Sequence, residues 1–175
     1  YYNIMNFIFR FFVSILFIIS LKSVAYSCAF LNERIGGNIE PLLEKYELLR
    51  DPYDAGINKQ TLLYEYRTKD FCDDSQLKDT YLEVYIKDNL LVGFRLETLY
   101  SAENNLLIYD YANRNYGLHN EKVFDKQWIG ASVVISGDKQ IIYGKLNDGE
   151  DKYFETLNIS TREFTDEMNN AIPIM

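Results

Sequence analysis

Residues 81–98 read YLEVYIKDNLLVGFRLET, two alternating runs on either side of a polar pair. A strand turns successive side chains to opposite faces, so Leu82, Val84 and Ile86 share one side and Tyr81, Glu83 and Tyr85 the other. Asp88 and Asn89 both tolerate positive φ, which suits a two-residue hairpin turn. On the return, Leu90, Val92, Phe94 and Leu96 are expected on one side, with Gly93, Arg95 and Glu97 on the other. The stretch is an antiparallel hairpin with one apolar and one mixed face.

Upstream, residues 61–68 repeat the alternation, with Leu62, Tyr64 and Tyr66 against Leu63, Glu65 and Arg67. A polar loop, 69–76, carries Cys72. Before it, Asn38 is placed to cap a helix of about 12 residues that has Glu40 and Pro41 in its first turn. Ile39, Leu42, Leu43, Tyr46 and Leu49 follow helical spacing, and Pro52 stops the helix.

Downstream, Ser101 opens a helix over 102–116, with Gly117 as its stop. Leu107, Tyr109 and Tyr111 also alternate, so a strand competes there. Strands are expected at 128–136, 139–147 and 152–159, joined by turns at Gly137-Asp138 and Asp148-Gly149. Ser160 and Glu163 form a capping box, with Ile159 stapled onto Phe164, and a last helix runs to about Asn170.

Helix–strand–strand–strand thus occurs twice, with few identities between the halves. The expected class is α+β: an antiparallel sheet of about six strands with helices on one face, two helix–β3 units in tandem. The arrangement resembles that of exported β-lactamase-inhibitor proteins and small outer-membrane assembly lipoproteins. That is a likeness of architecture, which does not transfer function.

Residues 5–28, MNFIFRFFVSILFIISLKSVAYSC, supply the compartment. Arg10, the uncharged run 11–21 and the small residues Ser23, Ala25 and Ser27 have the anatomy of a cleavable export signal. The run of 11 residues is short for a membrane span, which takes about 20. Snorkelling of Arg10 and Lys22 keeps an anchor in view. Residues 1–27 are therefore read as a signal peptide and 28–175 as one globular domain; Tyr1 to Ile4 precede the first methionine and read as an artefact outside the fold.

Without residues 1–27 the chain keeps 16 basic and 26 acidic side chains, a net charge of −10. That surface disfavours nucleic acid and anionic lipid and favours a partner with a basic surface. Cys28 and Cys72 are the only cysteines. In an oxidising compartment they are most simply one disulfide. The alternative is an acylated Cys28, because Ser27-Cys28 matches the end of a lipobox; only then is a membrane a partner.

Chemistry is harder to find. His119 is the sole histidine, in an expected loop, and neither Gly-x-Ser-x-Gly nor a phosphate-cradling glycine loop is present. Asp70, Asp73 and Asp74 cluster beside Cys72, and Asp148, Glu150 and Asp151 at a turn. Paired carboxylates can hydrolyse glycosides, but loop acids are usually solvated. No spacing suggests a metal or cofactor, and residues 147–151 miss the ligand order of a calcium loop.

The 15 tyrosines are more suggestive. With helices covering the apolar face, Tyr81, Glu83, Tyr85, Arg95 and Glu97 would present aromatic and charged groups on a rigid sheet, good contact material for another protein. The expectation is an exported, non-enzymatic protein-binding domain, an inhibitor or immunity-type protein acting on a basic or hydrolytic partner. An envelope lipoprotein held through Cys28 and a small carboxylate-dependent hydrolase are the alternatives.

Overall fold

The computed structural model describes residues 28–46, 52–58, 60–70, 72, 77–100, 106–149 and 152–171. The hairpin, β3 (Thr80–Lys87) and β4 (Leu90–Thr98), stands at the middle of a seven-stranded antiparallel sheet. The other strands are β1 (Tyr53–Asp54), β2 (Thr61–Arg67), β5 (Gly130–Ser136), β6 (Lys139–Gly149) and β7 (Lys152–Thr161), in the order β1-β2-β3-β4-β7-β6-β5. Six are long. The seventh is the two-residue edge β1. Helices α1 (Glu40–Tyr46), α2 (Leu107–Tyr116) and α3 (Arg162–Ala171) complete an α+β chain in which a helix followed by strands occurs twice before α3.

One face carries the main core. Leu82, Val84 and Ile86 of β3, Leu91, Phe94 and Leu96 of β4, Leu157 and Ile159 of β7, and Ile141 and Tyr143 of β6 are all buried. Leu42 of α1 and Ile108, Tyr109, Tyr111 and Ala112 of α2 close over them. Asn38 Oδ1 accepts from Glu40 N at 2.9 Å, the expected cap. Gly117 ends α2 in the left-handed region at φ 66°, where a side chain would be strained.

Cys28 and Cys72 are disulfide-bonded, with Cα atoms 5.1 Å apart. The bond ties the segment bearing Phe30, whose ring meets Phe94 at 5.1 Å, to the connection between β2 and β3. It suits an oxidising, exported compartment. With its sulfur in this bond, Cys28 has no thiol to acylate, which removes the lipoprotein anchor as drawn above. Among the described residues no helix is long and apolar enough to cross a membrane. The leader, 1–27, and the expected cap Ser101 lie outside the described residues.

Three local expectations are corrected. Asp88 and Asn89 do take positive φ, but β4 bulges: Tyr85 pairs with Gly93 while Ile86 pairs with Leu91. The extra residue shifts the alternation by one. Leu91, not Leu90, enters the main core, and Val92 turns to the opposite face. Likewise β6 and β7 stay paired as far as Gly149 with Lys152, past the Asp148-Gly149 turn expected there.

The largest correction concerns the helices. They do not all lie on one face. Strand β7 runs on through Thr161, whose Oγ1 accepts from Phe164 N and so takes the capping role expected of Ser160. Ser160 instead bonds Thr165 from inside the strand, at 2.6 Å. Running two residues past the expected end at Ile159, β7 aims α3 at the outer face, where Phe164 joins Leu63, Tyr85 and Val92 in a second core. Ile159 stays in the main core and staples nothing. Gly93 permits the approach: a Cβ there would lie 3.0 Å from Ser160 Cβ and 3.4 Å from Phe164 Cδ1.

Candidate functional site

Strand register assembles the outer face in rows. Glu65, Glu83, Arg95 and Asn158 lie in one line across β2, β3, β4 and β7. Arg67, Tyr81, Glu97 and Thr156 form the next line, and Leu63, Tyr85, Gly93 and Ser160 the one beyond Glu83. The five side chains singled out above therefore do share one face.

Arg95 is their hub. Its Nη2 donates to Glu97 Oε2 at 2.8 Å, and its Nη1 stands 3.8 Å from Glu83 Oε2. The Tyr85 hydroxyl donates to the same Glu83 oxygen at 2.5 Å. Partly exposed ion pairs of this kind add about 1 kcal/mol at most. Their use here is to hold the side chains in place on stiff strands. Glu65, Tyr81, Glu83, Arg95 and Glu97 line a shallow depression of about 200 Å³. Three carboxylates to one guanidinium leave it negative. Beside it, burial and a hydrogen bond to Glu65 push the Tyr53 hydroxyl up to about 12.

Tyr85 differs from the other four. Its ring lies 5.2 Å from Phe164 under α3, and the residue is only 7% exposed, whereas Tyr81 is 46% exposed. Tyr85 belongs to the second core, and burial raises its hydroxyl well above the ordinary value. The accessible face is Tyr81, Glu83, Arg95 and Glu97, joined by Glu65, which was not singled out from the sequence.

A buried polar cluster on the other face was also missed. Glu155 accepts from the amides of Tyr109 at 2.9 Å and Ile108 at 3.3 Å, and from the Tyr143 hydroxyl at 3.1 Å. It thereby satisfies donors that the first turn of α2 cannot satisfy itself. Lys145, its register partner on β6, donates to the carbonyls of Val123 and Asp125 at 3.0 and 2.8 Å, and its Nζ lies 4.4 Å from the Tyr153 ring centre. Alternation was the available signal: Glu155 is in step with Leu157 and Ile159, and Lys145 with Ile141 and Tyr143. Both are closed off from solvent, so they organise the fold and offer nothing to a substrate.

Burial pushes the Glu155 carboxyl up to about 7, against the pull of its three hydrogen bonds. Unfolded, the group titrates near 4.5. Between those values the folded chain holds a proton that the unfolded chain has lost, so stability falls as pH rises from 4.5 to 7. The full span is worth about 3 kcal/mol. Glu155→Gln is expected to remove this slope, gaining about 3 kcal/mol at pH 8 relative to its own change at pH 4.5. Urea unfolding at the two pH values measures it; equal changes at both would refute the assignment. Lys145, whose ammonium burial lowers, acts in the opposite sense, favouring the fold as pH rises from its depressed value to 10.5.

The remaining candidates do not converge. His119 is exposed, and its Nε2 lies 3.8 Å from Glu121 Oε1. Asp70 is exposed at the end of a 3-10 turn, and Asp73, Asp74, Glu150 and Asp151 lie outside the described residues. Among the described residues no three His, Cys, Asp or Glu side chains gather as a metal site. No family model, curated protein or solved structure matches this chain.

Proposed function

We propose that the chain is an exported, non-enzymatic domain that binds another protein through the outer face of its sheet, as an inhibitor or immunity-type protein for a partner with a basic surface. The observation that carries this reading is the row Tyr81–Glu97 beside Glu83–Arg95, held by ion pairs on central strands and partly exposed. An aromatic group of low ordering cost within a negative depression favours a cationic contact. The leader read at 5–28 would deliver the domain to a compartment where the Cys28–Cys72 bond persists.

Capture of exported hydrolases and toxins from the source organism, followed by titration with the purified partner, tests the proposal. Tyr81→Ala and Glu97→Lys are each expected to weaken binding at least tenfold. Both positions are open enough that unfolding transitions should stay within about 1 kcal/mol of the parent, the loss of the Arg95–Glu97 pair included. Affinity should fall with added salt, as attraction between exposed charges does. A complex indifferent to both substitutions would place the contact elsewhere.

A further inference from the structure

The outer face changes character across the strands. Over β3 and β4 it is charged. Beyond them the same lines run on into uncharged side chains: Arg95 is followed by Asn158, Ile142 and Val133, and Glu97 by Thr156, Gly144 and Ala131. Two residues further along β7 and β6, Phe154 stands opposite Leu146. Val133, Ile135 and Leu146 are 52%, 57% and 51% exposed, and α3, which packs Phe164 against Tyr85 and Val92, leaves all three open. Scattered apolar residues at a surface are ordinary, whereas several gathered on one face mark a contact.

We infer that the partner held by the charged row also covers this apolar half of the face, so that its own contact surface carries aliphatic or aromatic side chains about 10–15 Å from a lysine or arginine. The inference rests on the contact proposed above and extends it across β7, β6 and β5. Area is the first argument. A stable protein–protein contact takes about 800 Å² from each side, or roughly 20–30 residues, far more than the charged side chains around the depression supply. Growth of the contact is blocked by α3 at one end of the strands, and beyond β2 only the two residues of β1 remain. On the other side three long strands continue the same face. Charge is the second argument. Along both lines β7, β6 and β5 contribute no acid or base, so a cation on the partner is drawn to the depression, which fixes which part of the partner lies over which half. A second copy of the chain, itself at net charge −8, would bring acid toward acid; the occupant is a different protein.

Selection by the full oxidised chain from a displayed library of random peptides of about 12 residues tests this. Enriched peptides are expected to combine Lys or Arg with large apolar residues, and fluorescence anisotropy reads the affinity of the strongest. Val133→Asp and Leu146→Asp should each weaken it about tenfold, although each adds an acid that by charge alone would strengthen the attraction. Both replace side chains half open to solvent, so circular dichroism and urea midpoint should stay those of the parent. Peptides that carry cations without apolar residues, or that bind both aspartate variants as tightly as the parent while losing affinity for Glu97→Lys, overturn the inference and leave the charged contact standing. Peptides that respond to the aspartates and not to Glu97→Lys separate the two halves and overturn it as well. No enrichment at all removes the inference and the reading beneath it.

Discussion

Replacing both cysteines, Cys28→Ala with Cys72→Ala, is expected to lower stability by about 4 kcal/mol. The bond closes 44 residues of chain, and its loss restores that freedom to the unfolded state. The consequences should begin at the N-terminal segment. Phe30 is wholly buried in the main core, with its ring also 4.9 Å from Tyr46, and the disulfide fixes the chain two residues before it. Alanine is the informative replacement, since both sites are buried and a serine hydroxyl there would carry its own cost. Urea midpoints of the double variant and of the reduced parent should agree. A difference below about 1 kcal/mol from the oxidised parent would show that the cross-link is incidental.

Tyr85→Ala is the second large effect. Removing a buried aromatic ring costs about 3–5 kcal/mol, part of it for the cavity left behind. Here the cavity opens between β3 and Phe164, so α3 should loosen first, with its Met168 contact and the Lys87–Glu167 ion pair. Tyr85→Phe keeps the ring and loses the bond to Glu83, for about 1 kcal/mol. Tyr81→Ala, on the same strand and face, should be nearly neutral. The pair separates a residue that holds the fold from one that is free to bind. If Tyr85→Ala proved as mild as Tyr81→Ala, α3 would not cover this face in solution.

How far the chain could be read depended on whether one local pattern decided the answer. The 81–98 hairpin was legible because its alternation and its Asp-Asn turn agreed. The return strand was misphased, because a bulge leaves every residue type in place and changes only the count. The helices were assigned to one side because a one-residue shift in the cap, from Ser160 in a capping box to Thr161, is invisible to a motif that tolerates either. With α3 on the wrong side, alternation alone puts Tyr85 at the surface, where α3 in fact buries it. Its neighbours Tyr81, Glu83, Arg95 and Glu97 were grouped correctly, because alternation alone sets a face. Glu155 and Lys145 went unnoticed for a different reason: charged side chains in strands are read as outward, and only the meeting of β7 with the start of α2, nearly 50 residues away, makes burial tolerable.

The pairing of β4 with β7 has a bearing on how the molecule comes into being. On the side away from β3, Gly93–Glu97 pairs with Thr156–Ser160, so the centre of the sheet is also its most distant strand pairing along the chain. A polypeptide delivered from its N-terminus holds an unfinished half whose inner flank stays bare until the last strand, β7, emerges. Assembly of the whole is thus timed by arrival of the C-terminal quarter, and chains cut short before it would be sticky, half-made sheets rather than smaller working ones.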